Sequence, residues 1–362
     1  MWWRAVARAR RRIPGARPVS TAAAGKSGRE VVVPRFGGPE VLEVRQGVPA
    51  PDLKPGEVLV RARAVSINPL DLRMRAGYGR CIFEPLLPLI IGRDISGEVA
   101  ATGTSVSSFY IGQEVFGALH PTAIRGTCAD YAVLSQDELT SKPSTLTHEA
   151  SAIPFAALTA WRALYGTAGI SKGQRLLVLG GGGAVGLSAV QLAVAAGCSV
   201  SATCGAQSIE QVLAAGAEKA IDYATEDAES TVTGKFDAVL DTIGVAETER
   251  IGINLLRRGG HYMTLQGEAA SLADRYGLYV GLPAATATLL KKQMQYRCSH
   301  GIEYWWTYMR ADPDGLHEIQ RLSGAGKLQI PVEKTFPISQ VREAHEAKEK
   351  RLVPGKVVLE FD

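Results

Sequence analysis

Between Leu176 and Ile209 the chain carries no charged side chain and seven glycines. The glycines argue against a membrane-spanning helix of that length, and the order of residues gives the run another reading. Arg175-Leu-Leu-Val-Leu179 is an apolar strand of the parallel, doubly covered kind, and Gly180-Gly181-Gly182-Gly183-Ala184-Val185-Gly186 is a turn. An Ala/Leu/Val helix follows through Ala196, and Val200 to Cys204 is the next strand. Gly181-x-Gly183-x-x-Gly186 therefore stands where the G-x-G-x-x-G pattern binds a dinucleotide, after a strand and at the start of a helix. Without Cβ atoms, Gly182 and Gly183 let the backbone approach a pyrophosphate, whose charge the N–H groups and positive end of the helix from Ala184 and Val185 would meet. Gly186 allows helix and strand to pack closely.

The flanking sequence extends this unit. Ile209 to Ala215 reads as a helix, and Ala220 to Tyr223, Phe236 to Thr242 and Gly260 to Leu265 as strands, the alternation of a doubly wound parallel sheet. Residues 30 to 140 have a different cadence, with short strands at Glu30–Val33, Val58–Ala64, Gly97–Ala101, Glu114–Ala118 and Tyr131–Leu134 separated by turns. His148 to Leu164 reads as one helix capped by Thr147, and Lys356 to Phe361 as a final strand. A β-rich domain over 25–154 and 300–362 is thus interrupted by an α/β domain over 155–299.

Six arginines and no acidic residue lie in the first 24 positions, which reads as a transit peptide over 1–24, mitochondrial before plastid because Arg outweighs Ser. Those arginines exceed the formal net charge of +4, so the rest of the chain is not basic, which speaks against a nucleic-acid partner. The five cysteines contain no C-x-x-C pair and the histidines no H-E-x-x-H, so neither a disulfide framework nor a metal site is expected. The residue that selects NAD by holding its ribose should follow the second strand, yet Cys204-Gly205-Ala206-Gln207-Ser208 has no acid, which favours NADPH. Ser208 and Tyr223 are candidates to bond the 2′-phosphate, Tyr223 being open to the plainer reading of a half-buried strand-end residue.

Taken together, a β-rich domain wrapped around a dinucleotide fold, Asn68-Pro-Leu-Asp71, Met74-Arg-Ala-Gly-Tyr-Gly79, Gly92-Arg-Asp-Ile-Ser-Gly97, Ala157-Leu-Thr-Ala-Trp161, Ala220-Ile-Asp-Tyr223, Thr335-Phe-Pro337 and Pro354-Gly-Lys356 resemble the medium-chain dehydrogenase/reductase superfamily, from about residue 29 to the end. The resemblance implies a GroES-like domain interrupted by a Rossmann domain. Zinc enzymes of that superfamily have a cysteine where this chain has Asn68 and Gly-His-Glu where it has Gly92-Arg93-Asp94, so the similarity is to the zinc-independent quinone oxidoreductase branch, in a mitochondrial member of it. Gly180-Gly-Gly-Gly-Ala184 departs from the usual Gly-Ala-Ser-Gly-Gly, and Gly205 stands where a serine often meets the 2′-phosphate, implying weaker NADP selectivity.

The resemblance further implies dinucleotide contacts at Thr159, Thr242, Leu265 and Lys356, and a substrate that is a quinone or conjugated enone. Such a reaction without metal needs hydrogen-bond or proton donors at the substrate oxygen, for which Asn68 and Tyr78 are the candidates. Asp71 is expected to fix its loop, and Arg93 and Asp94 to form a neutralising ion pair. The aromatic segment Met294 to Met309 is read either as the wall of an apolar substrate pocket or as core or dimer interface. A homodimer stays open, as does the competing class, a largely non-catalytic mitochondrial interaction or assembly protein that keeps the fold; the branch is tied to ubiquinone and the respiratory chain.

Overall fold

A computed structural model describes residues 27–350 and 355–362. The expected transit peptide lies outside the described residues, as does Pro354. The strands β1 (Arg175–Leu179), β2 (Ser199–Cys204), β3 (Lys219–Asp222), β4 (Phe236–Asp241), β5 (Leu256–Thr264) and β6 (Glu303–Trp306) form a parallel sheet in the order β3-β2-β1-β4-β5-β6. This is the doubly wound dinucleotide-binding order, with its crevice at the carboxyl ends of the central strands. Apolar side chains at every position of β1 after Arg175 are buried, because helices cover both faces. The sheet runs on to Trp306, past residue 299, where the sequence reading ends this domain; β6 is a short aromatic strand that carries no alternation to announce it.

The β-rich part holds a seven-stranded sheet in which Val332–Pro337, Lys356–Glu360, Glu57–Ile67, Asp94–Thr102, Glu114–Ala118 and Leu139–Ser141 follow one another, with Tyr131–Ser135 also paired to Glu57–Ile67. The last strand returns antiparallel to the longest, with Val357 opposite Ile67. That register lays Lys356 beside Asn68, although 288 residues separate them in sequence.

Two elements differ from the sequence reading. The single helix expected over His148 to Leu164 is broken into a 3-10 turn at His148–Ala152, an α-helix at Pro154–Trp161 and a π-helical turn at Arg162–Ala168. Pro154 has no N–H to continue a helix and sits instead at a helix start. Thr147 makes no capping bond; its hydroxyl donates to Glu149 at 3.4 Å. Conversely, Leu278–His300 is one helix of 23 residues, ended by Gly301 in the left-handed conformation at φ +68°. Among the described residues no helix is long and apolar enough to cross a membrane.

Candidate functional site

The strand Glu57–Ile67 ends where Pro69 opens a helix, and Asn68 caps the junction with its own N–H donating to Asp71 Oδ2 at 2.8 Å. Around its side chain lies a buried polar cage. Asn68 Nδ2 donates to Asp94 Oδ2 at 2.8 Å, Ser66 Oγ donates to the same oxygen at 2.6 Å, and the Phe155 N–H donates to Asp94 Oδ1 at 2.7 Å. The Lys356 ammonium completes the cage, donating to Asn68 Oδ1 at 2.7 Å, Ser66 Oγ at 2.8 Å and Asp94 Oδ2 at 3.1 Å. All four side chains are buried, Asn68 at 2% exposure. Lys356 has three N–H groups and gives all three to the protein, in place of the dinucleotide contact that the resemblance implies.

The expected ion pair between Arg93 and Asp94 does not form. The strand begins only at Asp94, and Arg93 lies in the bend before it, after Gly92 at φ +93°; Asp94 meets Lys356 while the Arg93 guanidinium is held by other partners. The Arg93 guanidinium donates to the carbonyls of Gly92 at 3.0 Å, Ala123 at 3.1 Å and Arg125 at 3.2 Å. Its charge is answered by Asp71, whose Oδ1 accepts no hydrogen bond among the described residues. Burial pushes the Asp71 carboxyl up from the usual 3.8 to about 6, against the pull of Arg93 and the Asn68 N–H. Because the folded-state value lies above the unfolded one, Asp71 favours folding fully below about pH 3.8 and loses that contribution as pH rises through about 6. Asp71→Asn, measured by denaturant unfolding, is therefore expected to gain on the wild type by up to about 3 kcal/mol between pH 4 and pH 7. A constant difference across that range would show that Asp71 ionises without penalty.

Tyr78 comes from the loop that follows the same helix. Its ring lies half-buried under the Arg73 guanidinium, 4.0 Å from the centroid, and Arg73 also donates to Gln266 at 3.0 Å. The Asp274 carboxylate accepts from the Gly79 N–H at 2.7 Å and the Cys81 N–H at 3.0 Å, pinning this loop to the helix Ala269–Tyr276.

At the crevice of the parallel sheet, Gly180 turns the chain at φ +87° and the helix Ala184–Ala195 begins with no side-chain cap. The first helical bond is donated by Leu187 to Gly183, so the N–H groups of Ala184, Val185 and Gly186 stay available at the helix start. A Cβ on Gly186 would lie 2.1 Å from the Gly180 carbonyl, whereas one on Gly183 would find nothing nearer than 3.7 Å. Gly186 is thus required by the fold, and the space above Gly183 is free for a ligand. Gly182 differs from expectation, since its missing Cβ makes room for the Ser208 side chain, whose Cβ a methyl there would meet at 2.6 Å.

Gly182, Gly205, Ser208 and Tyr223 are gathered at one edge of this crevice. Tyr223 is 70% exposed, so the half-buried reading fails. A Cβ on Gly205 would stand 3.5 Å from its hydroxyl. The crevice therefore fits a dinucleotide. Two other expected contacts are turned inward: Thr242 Oγ1 donates to the carbonyls of Leu179 at 2.9 Å and Gly180 at 3.2 Å, and Thr159 Oγ1 to that of Phe155 at 2.6 Å. Thr242 thereby props the glycine turn. Leu265 follows β5, half-buried against the core, its N–H donating to Asp241.

Asp241 went unnoticed in the sequence. Buried at the end of β4, it accepts from the N–H groups of Ile243 and Gly244, both at 2.9 Å, from Thr248 at 2.7 Å and from Tyr262 at 2.6 Å. An acid ending an apolar strand just before Thr242-Ile-Gly244 was the available signal. The aromatic segment resolves mostly into core: Tyr262, Tyr304 and Tyr296 stack at 5.1 and 5.4 Å, with the phenols of Tyr296 and Tyr304 on Glu249. They reach a cavity of about 430 Å³ lined by the paired Glu249, Lys292 and Arg250 and by the Glu268 carboxylate, which is not an apolar pocket. Met294 lies exposed. Among the described residues no three His, Cys, Asp or Glu side chains cluster to hold a metal.

Comparison with known proteins agrees with this architecture. Residues 54–147 match the alcohol dehydrogenase GroES-like domain and 215–359 the zinc-binding dehydrogenase family. The chain is 35% identical to the mitochondrial NAD(P)H oxidoreductase RTN4IP1 of Mus musculus, covering 91% of this chain and 88% of that protein. It is 32% identical to a 2-methylene-furan-3-one reductase of Solanum lycopersicum, covering 76% and 73%. The solved quinone oxidoreductase of Coxiella burnetii superposes with a TM-score of 0.77 at 27% identity, over 93% of this chain and all of that one. By the order of its sheet, the glycine crevice, the GroES-like enclosure and these similarities, the chain belongs to the medium-chain dehydrogenase/reductase superfamily, as a relative of the reticulon-4-interacting protein 1 oxidoreductases.

Proposed function

We propose that the protein is a mitochondrial, NADPH-dependent oxidoreductase that reduces quinones or conjugated enones without zinc. The observation that carries this reading is the clamped amide of Asn68. With Oδ1 on Lys356 and one Nδ2 hydrogen on Asp94, it keeps a second N–H as a neutral donor at the position where zinc relatives hold a metal ligand. A neutral N–H stabilises a developing oxyanion less than a metal does, so the acceptor suited to it is one that spreads incoming charge over a conjugated system. NADPH, when bound, supplies the hydride. In this reading the Gly182–Gly186 backbone receives the pyrophosphate, Ser208 and Tyr223 take the 2′-phosphate, and the Tyr78 phenol is the second donor to substrate. The relatives' names, mitochondrial NAD(P)H oxidoreductase and 2-methylene-furan-3-one reductase, support the compartment and the enone class.

NADPH oxidation against a panel of quinones, enones, saturated ketones and aldehydes tests the proposal. Quinones or enones should be consumed, saturated carbonyls should not, and a chelator should leave the rate unchanged. Chelator-sensitive turnover of saturated carbonyls would overturn it. For the cofactor, Gly205→Asp introduces a carboxylate where there is room for it, and should move the NADPH-to-NADH affinity ratio about tenfold or more towards NADH; an unchanged ratio would remove Gly205 from the 2′-phosphate site.

A second reading, an interaction or assembly protein that keeps the fold, is favoured by the burial of Asn68, which leaves 2% of it exposed. Tight NADPH binding with no turnover of any panel member would select that reading.

A further inference from the structure

Tyr78 stands on a loop whose course its own domain does not fix alone. Gly77 at φ +102° and Gly79 at φ +77° bend the chain on either side of it, and its N–H is given to the Arg73 carbonyl at 2.8 Å, where the helix Pro69–Arg75 ends. The N–H groups of Gly79 and Cys81 stand at the start of the short helix Arg80–Phe83, where a helix offers its own donors no carbonyl. Both are met by Asp274, which accepts from Gly79 on Oδ2 at 2.7 Å and from Cys81 on Oδ1 at 3.0 Å. One carboxylate that holds two backbone donors, one oxygen to each, fixes the direction of the turn as well as its place.

Asp274 belongs to the other domain. It lies on the helix Ala269–Tyr276, a few residues beyond β5, whose carboxyl end borders the crevice. Gln266, in the same connection, accepts from Arg73 at 3.0 Å, and the Arg73 guanidinium covers the Tyr78 ring at 4.0 Å. The loop is thus tied from both sides to one segment of the dinucleotide-binding domain. That segment is firmly based, since the helix Leu278–His300 comes so close that a Cβ on Gly281 would lie 2.4 Å from the Ala273 Cα. The Tyr78 phenol makes no hydrogen bond among the described residues, so its backbone and the Arg73 cover are what aim it.

We propose that Asp274 is a positioning residue for the reduction: reaching across from the dinucleotide-binding domain, its carboxylate sets the loop that aims the Tyr78 phenol at the substrate oxygen. The inference deepens the proposed reaction and rests on Tyr78 being a donor there. A plain anchor would brace the two domains whatever stood at position 78, whereas an aiming device matters only while there is a phenol to aim.

A double-mutant cycle in the turnover of an accepted quinone or enone separates the two. Asp274→Ala should lower kcat about tenfold with NADPH affinity unchanged, because a donor displaced by a fraction of an ångström no longer meets the oxygen. Made together with Tyr78→Phe, the same substitution should change kcat by about twofold or less relative to Tyr78→Phe alone. Asp274→Asn keeps the shape of the side chain and one of its two acceptors; it should follow the same pattern with a smaller loss, and it carries the cycle if Asp274→Ala fails to fold. Equal losses with and without Tyr78→Phe would overturn the proposal and make Asp274 a brace between domains. Undiminished kcat in both Asp274 variants, with Tyr78→Phe slowed, would overturn it and leave the Tyr78 donor standing. If Tyr78→Phe alone leaves kcat unchanged, or the wild type turns over no quinone or enone, the donor assignment fails first and the proposal falls with it.

Discussion

Gly186→Ala should destabilise the protein by about 3 kcal/mol or more, whereas Gly183→Ala, three residues earlier in the same turn, should cost at most about 1 kcal/mol. The difference lies in what each new methyl meets. At Gly186 it would stand 2.1 Å from the Gly180 carbonyl and 2.8 Å from the Gly181 Cα, backbone atoms held by the bonds of Gly180 and Gly181 to Thr203, so strand and helix must separate. At Gly183 it meets open space and an extended backbone at φ −79°, which alanine adopts freely. Ligand affinity should divide the other way: Gly183→Ala should fold normally and bind NADPH about tenfold or more weakly, because its methyl occupies the space left for the pyrophosphate. Denaturant unfolding and fluorescence titration of the two variants measure both quantities. A stable Gly186→Ala would mean that helix and strand are loosely joined, and unchanged NADPH binding by Gly183→Ala would move the pyrophosphate elsewhere.

The second large effect is expected in the cage around Asn68. Lys356→Met leaves the Asp94 carboxylate buried without its cation, a loss of about 3 to 5 kcal/mol, and the double change with Asp94→Asn should recover most of that stability. Turnover separates support from chemistry. Asn68→Ala should slow the reaction roughly a hundredfold, on the order of 3 kcal/mol in the barrier, with NADPH affinity nearly unchanged, since the crevice that fits the dinucleotide lies in the other domain. Tyr78→Phe removes a phenol that makes no hydrogen bond among the described residues, so it should lower turnover with the melting temperature intact. If Asn68→Ala weakens NADPH binding and spares turnover, Asn68 is a cofactor ligand. If neither substitution slows an accepted quinone, the oxyanion is met by other groups.

The parts of this structure legible in the sequence are those whose signal is local. The strand Arg175–Leu179 and the glycine turn announce themselves because burial on two faces demands unbroken apolar residues and close packing demands missing Cβ atoms. Asn68 before a proline and the acid-free end of β2 are likewise readable in a few residues. The bonds of Lys356 to Ser66, Asn68 and Asp94 are not legible, because they are set by the register of Val357 opposite Ile67, which no window of sequence contains. The Arg93–Asp94 pair fails for the same kind of reason: neighbours in sequence look like partners, but the bend at Arg93 and the carbonyls of Ala123 and Arg125 that hold its guanidinium are set by distant chain. The helix Leu278–His300 carries no such local signal because polar and apolar residues are spread all round it, with Thr286, Lys291 and Gln295 exposed beside Leu282, Leu290 and Met294.

The strand Lys356–Glu360 has a consequence for the order in which the molecule can be made. The parallel sheet is drawn from one continuous stretch of chain, Arg175 to Trp306, and can collapse as soon as that stretch has left the ribosome. The sheet around Asn68 cannot, because the cation that its carboxylate requires arrives almost last. During synthesis Asn68, Ser66 and Asp94 wait for some 260 to 290 residues before Lys356 reaches them. A nascent or prematurely terminated chain that stops short of residue 356 therefore holds every strand of the parallel sheet beside an Asp94 carboxylate that has no cation to meet it.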